Sequence, residues 1–209
     1  MESKTKLSGI DADALLFDLG GVLIGIDWRR AFSVWAGHCA TTPDAIAARF
    51  RFDAAYAAHE RGEIGAAEYF DGLRRMLGIE LSDAQFLAGW NAIFTSEAAG
   101  VRELLAAAAA SRLIYLFSNT CEVHREHWQP RFAELLQPFS AIFLSCQIRL
   151  RKPDPRALMH VARAIGVTPD RIAFFDDTAE NVVGATRAGL RAFHVRSGTA
   201  LAVALGLSL

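Results

Sequence analysis

Five short apolar runs, at residues 15–17, 113–117, 141–144, 172–175 and 192–195, are too short for helices and rich in aromatic and β-branched side chains. Runs of that kind read as strands buried on both faces. Between them lie stretches with helical spacing: residues 97–111, the segment after Asn119, residues 155–165 with a proline in the first turn, and residues 179–188 closing at Gly189. Strands alternating with helices require crossover connections. The expected architecture is therefore a doubly wound α/β fold with a parallel sheet.

One region breaks the alternation. From Asp27 to about Phe94 only helix-like segments occur, among them residues 43–58, 66–77 and 82–94. Arg61-Gly62, Gly65 and Gly78 punctuate them, and Thr41-Thr42-Pro43-Asp44 has the form of a capped helix start. The expected division is a core of residues 1–26 and 95–209 with a helical insert of residues 27–94. A length of 209 residues and 52% hydrophobic content suffice for one packed core carrying such an insert.

Charge and composition exclude several partners. A net charge of −1 and a pI near 6.6 leave no basic stripe for a nucleic acid. The longest unbroken apolar run, residues 104–110, falls far short of the roughly 20 residues that cross a bilayer. Residues 1–6 are polar with no apolar signal core, which points to the cytoplasm. Cys39, Cys121 and Cys146 lack the paired spacing of a disulfide framework or zinc site and are expected to be reduced.

The chemistry-bearing residues stand where the apolar runs end. Asp18 follows the first run and leads into Gly20-Gly21, which is a carboxylate delivered by a strand into a turn whose backbone can approach an anion. Ser118-Asn119-Thr120 follows the second run, where the Ser118 hydroxyl either caps the next helix, the reading it favours taken alone, or donates to a phosphate oxygen. Lys152, between Arg151 and Pro153 at a helix entrance, offers a held ammonium for phosphate neutralisation. Asp176-Asp177 follows the fourth run, with Asn181 at the next helix start. Adjacent acids of this kind invite a hard cation such as Mg2+. Asp18, Asp176 and Asp177 together with Lys152 and one dication would balance before a phosphate arrives.

Taken in chain order, Asp18, Ser118, Lys152 and Asp176-Asp177 resemble the four motifs of the haloacid dehalogenase superfamily, whose members are mostly Mg2+-dependent phosphatases. The resemblance spans about residues 14–196 and implies a Rossmann-like core, with the insert as a C1-type helical cap. More narrowly, residues 17–23, Asp27-Trp28, residues 60–64 and Ser118-Asn119-Thr120 are similar to the bacterial alpha-D-glucose-1-phosphate phosphatase branch. By that resemblance Asp18 attacks phosphorus and becomes an aspartyl phosphate, while Ser118 and Lys152 steady the phosphoryl oxygens. The Gly20 carbonyl and Asp177 would hold Mg2+, with Asp176 binding directly or through water. The substrate implied is a small phosphorylated metabolite.

One position departs from the superfamily pattern. Most of its phosphatases carry a second Asp two residues after the nucleophile, and here that residue is Gly20. Asp27, His59, Glu60 or a metal-bound water could supply the missing proton transfer, worth roughly 10² to 10⁴ in rate. A substrate with a weakly basic leaving group, such as a sugar 1-phosphate, needs it less. His59 and Glu60 are also expected to contact substrate, because the break at Gly62 can aim them at the site, and Asn119 is a further candidate. Trp28, Trp35, Phe50, Phe52 and Tyr56 are expected in the core of the insert rather than as a sugar-stacking face, and His124 and His127 at the surface rather than as metal ligands.

Three other functions compete. A 2-haloacid dehalogenase also lacks the second Asp, but the Asp176-Asp177 pair is then hard to explain. A receiver domain would carry its acidic pair near the N-terminus. A phosphate-binding regulatory module with little turnover would keep the binding positions and forgo the proton donor.

Overall fold

The computed structural model describes residues 10–206. Residues 1–6, on which the cytoplasmic expectation rests, lie outside the described residues. The elements in order are β1 (Ala14–Phe17), β2 (Ile24–Ile26), α1 (Trp28–Ala36), α2 (Pro43–Arg49), α3 (Ala54–Glu60), α4 (Ala66–Leu77), α5 (Asp83–Asn91), β3 (Phe94–Glu97) and α6 (Val101–Ser111). They continue with β4 (Leu113–Ser118), α7 (Glu122–Arg131), α8 (Ala133–Leu136), β5 (Ala141–Leu144), α9 (Ser145–Ile148), α10 (Pro155–Ile165), β6 (Ile172–Asp176), α11 (Ala179–Arg187), β7 (Arg191–His194) and α12 (Gly198–Ala204).

The five expected strands form one parallel sheet in the order β5-β4-β1-β6-β7. β1 is central and buried on both faces. Leu15 and Phe17 point into one apolar layer and Ala14 and Leu16 into the other, the period-2 alternation of a strand between two helix layers. Because β4 lies on one side of β1 and β6 on the other, the chain changes direction at β1. The C-terminal ends of these three strands open a crevice there, where open α/β sheets bind ligands.

The insert is tethered by a ribbon that the apolar pattern does not reveal. β2 and β3 pair antiparallel, Ile24 with Glu97 and Ile26 with Phe94, and α1 to α5 lie between them in sequence. Residues 97–111 were expected as one helix. Instead Glu97 ends β3, and the helix begins at Val101 after Gly100 turns the chain with φ +70.

The expected helix over residues 43–58 is two helices. Phe50 leaves helical geometry, and the Asp53 side chain accepts from Tyr56 N at 2.8 Å, starting a new helix where the old one would have continued. The helix over residues 66–77 forms as expected, and that over residues 82–94 shortens to α5 with Ser82 as its capping residue.

Trp35 and Trp90 are fully buried in the insert, and Trp35 Nε1 donates to Phe86 O at 3.0 Å. A second seam joins insert to core. Trp90 Nε1 donates to Cys121 Sγ at 3.3 Å, and His124 Nε2 donates to Trp90 O at 2.9 Å. His124, expected at the surface, is 6% exposed and stacked on Trp90, because α5 packs directly on α7. His127 is half-buried. The three cysteines are free thiols.

Candidate active site

β1 ends at Phe17 and hands Asp18 to the crevice, β4 ends at Ser118, and β6 ends at Asp176 with Asp177 next. Lys152 arrives from the loop before α10 and is completely buried. Its ammonium donates to Asp18 Oδ1 at 2.5 Å, to Asp176 Oδ2 at 2.7 Å and to Phe117 O at 2.9 Å. All three donor hydrogens are thereby used, and the Phe117 and Phe174 rings flank the charge at 5.3 Å.

Burial opposes the ammonium, but the Asp176 and Asp18 carboxylates outweigh it and hold Lys152 above the usual lysine range. On Asp18 the balance falls the other way. Burial, with Asp176 and Asp177 nearby, pushes its carboxyl up to about 7 against the pull of Lys152. Burial and then Asp176 also raise Asp177.

Those shifts describe a charge deficit. Ligand oxygens of Asp18, Asp176 and Asp177 all lie within 4.8 Å of one another, and Lys152 alone offsets their three charges. Hard oxygen donors without a histidine or cysteine among them fit Mg2+. The loop is shaped for this approach. Gly21 has φ +80, and a Cβ on it would sit 2.0 Å from Asp177 Oδ2, so only glycine lets that carboxylate fold over the turn.

The two neighbouring acids have different surroundings. Asp177 lines the cavity. Asp176 is fully buried, and its oxygens accept from Lys152, from Thr178 N at 2.9 Å and from Asn181 Nδ2 at 3.0 and 3.1 Å. Such an arrangement suits Asp176 to fixing Lys152.

Asn119, expected at the substrate, is turned to the protein. Its Nδ2 donates to Lys152 O and its Oδ1 accepts from Lys152 N, both at 2.9 Å, so it braces the lysine backbone. His59, expected to touch substrate or move a proton, is not among the residues that line the cavity. It is buried and stacked on Tyr69, and its Nδ1 bonds to Ile64 O at 3.2 Å. Asp27 spends its carboxylate on Arg29 N as the cap of α1.

Glu60, by contrast, lines the cavity. Its Oε1 accepts from Tyr56 OH at 2.9 Å, and its Oε2 accepts from Arg151 Nε at 2.8 Å and Nη2 at 2.7 Å. Burial raises its pKa against the pull of Arg151.

The cavity has a volume of about 360 Å³, and Asp18, Ser118 and Lys152 are among the residues that line it. Gly20 lines it beside Ile26, and a Cβ at residue 20 would meet Ile26 Cγ1 at 3.0 Å, so an apolar side chain fills the space next to that glycine. Trp28, Phe52 and Tyr56, expected wholly inside the insert with Trp35 and Phe50, form an aromatic wall of the cavity instead. Their signal in the sequence was the break between two helices. Phe52 immediately precedes the capping Asp53, outside any helical face.

Residues 12–189 match the haloacid dehalogenase-like hydrolase family. Among curated proteins, the chain is 23% identical over 189 residues to D-ribitol-5-phosphate phosphatase of Bacteroides thetaiotaomicron, across 88% of this chain and 92% of that one. A 59-residue stretch is 51% identical to a phosphatase of Mycobacterium tuberculosis, across 27% of each chain. Among solved structures, it is similar to a haloacid dehalogenase family enzyme of Bacteroides thetaiotaomicron in complex with magnesium and inorganic phosphate. That match has a TM-score of 0.76 and 29% identity, over 90% of this chain and 96% of that one. In fold it is also similar to L-2-haloacid dehalogenase of Xanthobacter autotrophicus, with a TM-score of 0.67 and 20% identity, over 91% and 81%.

Proposed function

This chain belongs to the haloacid dehalogenase-like hydrolase family and is a magnesium-dependent phosphatase within it, and from there we propose that it cleaves a small sugar phosphate, with a preference for esters of the anomeric hydroxyl. The observation that carries the reading is the Lys152 ammonium, fixed between Asp18 at 2.5 Å and Asp176 at 2.7 Å, with Asp177 beside them lining the same cavity.

In this account an Asp18 oxygen attacks phosphorus, the bond to the ester oxygen breaks, and the sugar leaves with the electron pair. Ser118 donates to a phosphoryl oxygen, and Lys152 turns to the phosphoryl group the N–H that Asp18 releases when its oxygen bonds phosphorus, as charge shifts onto the leaving group. Water then displaces Asp18 from phosphorus, restoring the carboxylate and releasing inorganic phosphate. Mg2+, which Asp18, Asp177, the Gly20 carbonyl and, directly or through water, Asp176 would hold, supplies positive charge against the phosphoryl oxygens. Asp176 and Asn119 fix Lys152 from opposite sides, so the ammonium is in place before substrate arrives. The helical stretch of residues 27–94 acts as a cap, bringing its aromatic wall over the leaving group and excluding water.

The anomeric preference follows from the leaving-group side. Gly20 carries no acid, and Ile26 occupies the neighbouring space. Glu60, on the same cavity, is bound to Arg151 and Tyr56. A hemiacetal oxygen, less basic than an ordinary alkoxide, leaves with less need of a proton.

The test is phosphate release over matched sugar 1-phosphates and 6-phosphates, with D-ribitol 5-phosphate included, each with Mg2+ and with chelator. The expected result is Mg2+-dependent release, fastest on the 1-phosphates. Equal or greater rates on the 6-phosphates or on ribitol 5-phosphate would remove the anomeric preference, and release that persists in chelator would remove the metal.

A further inference from the structure

Phe52 is the least explained side chain of the cavity. It is 62% exposed, yet its ring is gripped edge-on by three others: Trp28 at 5.3 Å, Phe50 at 5.2 Å and Tyr56 at 4.9 Å between centroids. The ring packs on three neighbours and most of its surface is free. Folding gains little from an aromatic held this way, because most of its apolar surface stays in water. An exposed aromatic face inside a cavity is instead suited to a ligand.

Beside this wall lies a polar edge of opposite character. Glu60 presents a buried carboxylate fixed by Tyr56 and Arg151, and the Arg151 guanidinium lies next to it on the same cavity. A carboxylate accepts from hydroxyls and a guanidinium donates to them, so the pair can meet adjacent hydroxyls on one rim of a ligand. Asn119, which is spent on the Lys152 backbone, does not compete for that role.

An apolar platform with a hydrogen-bonding edge matches a sugar in its ring form, in which C–H groups make a flat face and hydroxyls make the rim. An open-chain polyol has hydroxyls too, with one more where the ring oxygen would be, but no face. It must also freeze several more torsions to bind, an ordering cost the ring has already met.

Resting on the phosphatase reading above, we propose that Phe52, backed by Trp28 and Tyr56, together with Glu60 and Arg151, forms a leaving-group subsite that selects cyclic sugar phosphates over open-chain polyol phosphates. Phe52 is the specificity-determining residue of that subsite, and its ring stacks on the sugar while Asp18 reacts with phosphorus.

The experiment compares glucose 6-phosphate with sorbitol 6-phosphate on the full chain with Mg2+. Both esters join phosphate to a primary alcohol, so the comparison isolates the ring from leaving-group basicity. The expected result is a kcat/KM about tenfold higher for the ring ester, carried mainly by KM. That ratio should fall towards one in Phe52→Ala and return in Phe52→Tyr. Phe52 is exposed, so the variants should fold, and their thermal midpoints check that they do. A ratio near one in the parent chain, or a ratio that Phe52→Ala leaves in place, would overturn the subsite. A stronger preference for a nucleoside monophosphate over both esters would overturn the sugar assignment. Absence of phosphate release from every ester, and from the mixed anhydride acetyl phosphate, would bring down the phosphatase reading itself and the subsite with it.

Discussion

At the strand ends, Lys152, Asp18 and Asp176 hold one another in a buried lattice in which each lysine hydrogen has a partner and Asn181, Thr178 and Asn119 lock the periphery. Across the cavity, Phe52 stands 62% exposed on a wall contributed by the insert. The first region is made of charge held rigid by backbone from four separate segments, and a change there disturbs several partners. The second is made of shape, and its outermost ring can change without breaking a hydrogen bond. On the proposed reading, the chemistry common to every substrate belongs to the strand ends, and selection to the insert's aromatic wall and Glu60 together with Arg151 from the core.

The sharpest way to break that division is Asp18→Asn. It keeps the shape and removes the nucleophile, and phosphate release should fall at least about 10⁴-fold on every substrate, read in a continuous phosphate assay. A loss confined to some substrates would mean that the strand-end region also selects.

Lys152→Met comes next. Removing the ammonium leaves Asp18 and Asp176 buried without their counter-charge, which should cost about 3–5 kcal/mol in denaturant unfolding, alongside a drop in kcat of about 10² to 10³. Added Mg2+ should recover part of that stability by replacing the missing positive charge. An unchanged unfolding midpoint would show that the lattice is not the rigid element described.

Asn119→Ala tests whether bracing from outside the reacting atoms matters. It should lower kcat about 10- to 100-fold with little change in KM, since it loosens Lys152 without touching a ligand. A rise in KM alone would return Asn119 to the substrate.

The smallest effect concerns the seam between the two regions. His124 is buried against Trp90, and burial pushes its pKa down from 6.5 to about 3. The folded chain therefore keeps it neutral where the unfolded chain would protonate it. Its contribution to stability is complete above pH 6.5 and is lost as pH falls from there towards 3, at about 1.4 kcal/mol per pH unit. Unfolding titrations between pH 6.5 and 4.5 should show a slope shallower by one proton in His124→Gln. An identical slope would show that the seam does not exclude the charge.

Much of the phosphoryl end was legible in the sequence, because Asp18, Ser118 and Asp176-Asp177 each terminate an apolar run and a buried strand of known direction delivers its last residue to one edge of the sheet. Helices with a proline start or a glycine stop, such as α10 and α4, were equally readable. The β2–β3 ribbon was not. Its strands are three and four residues long, one contains Gly25 and the other Thr95-Ser96, so neither shows an apolar alternation. The split between α2 and α3 turned on Asp53 competing for Tyr56 N, a contest that hydrophobic spacing does not record.

The positions of His59, His124 and Phe52 depended on how the insert packs on α7 and over the cavity. Residues next to one another in sequence were separated by that packing: His59 was drawn under Tyr69, while Glu60 was left facing the cavity.

The most direct test of the account is chemical trapping on Asp18. Enzyme with Mg2+ and a turning-over sugar phosphate is acid-quenched and reduced with borohydride, which converts an acyl phosphate to an alcohol, and the peptides are then weighed by mass spectrometry. The account predicts homoserine at residue 18 only when both Mg2+ and substrate are present. Phosphate release with residue 18 recovered as unmodified aspartate, or with the reduced residue elsewhere in the chain, would contradict it.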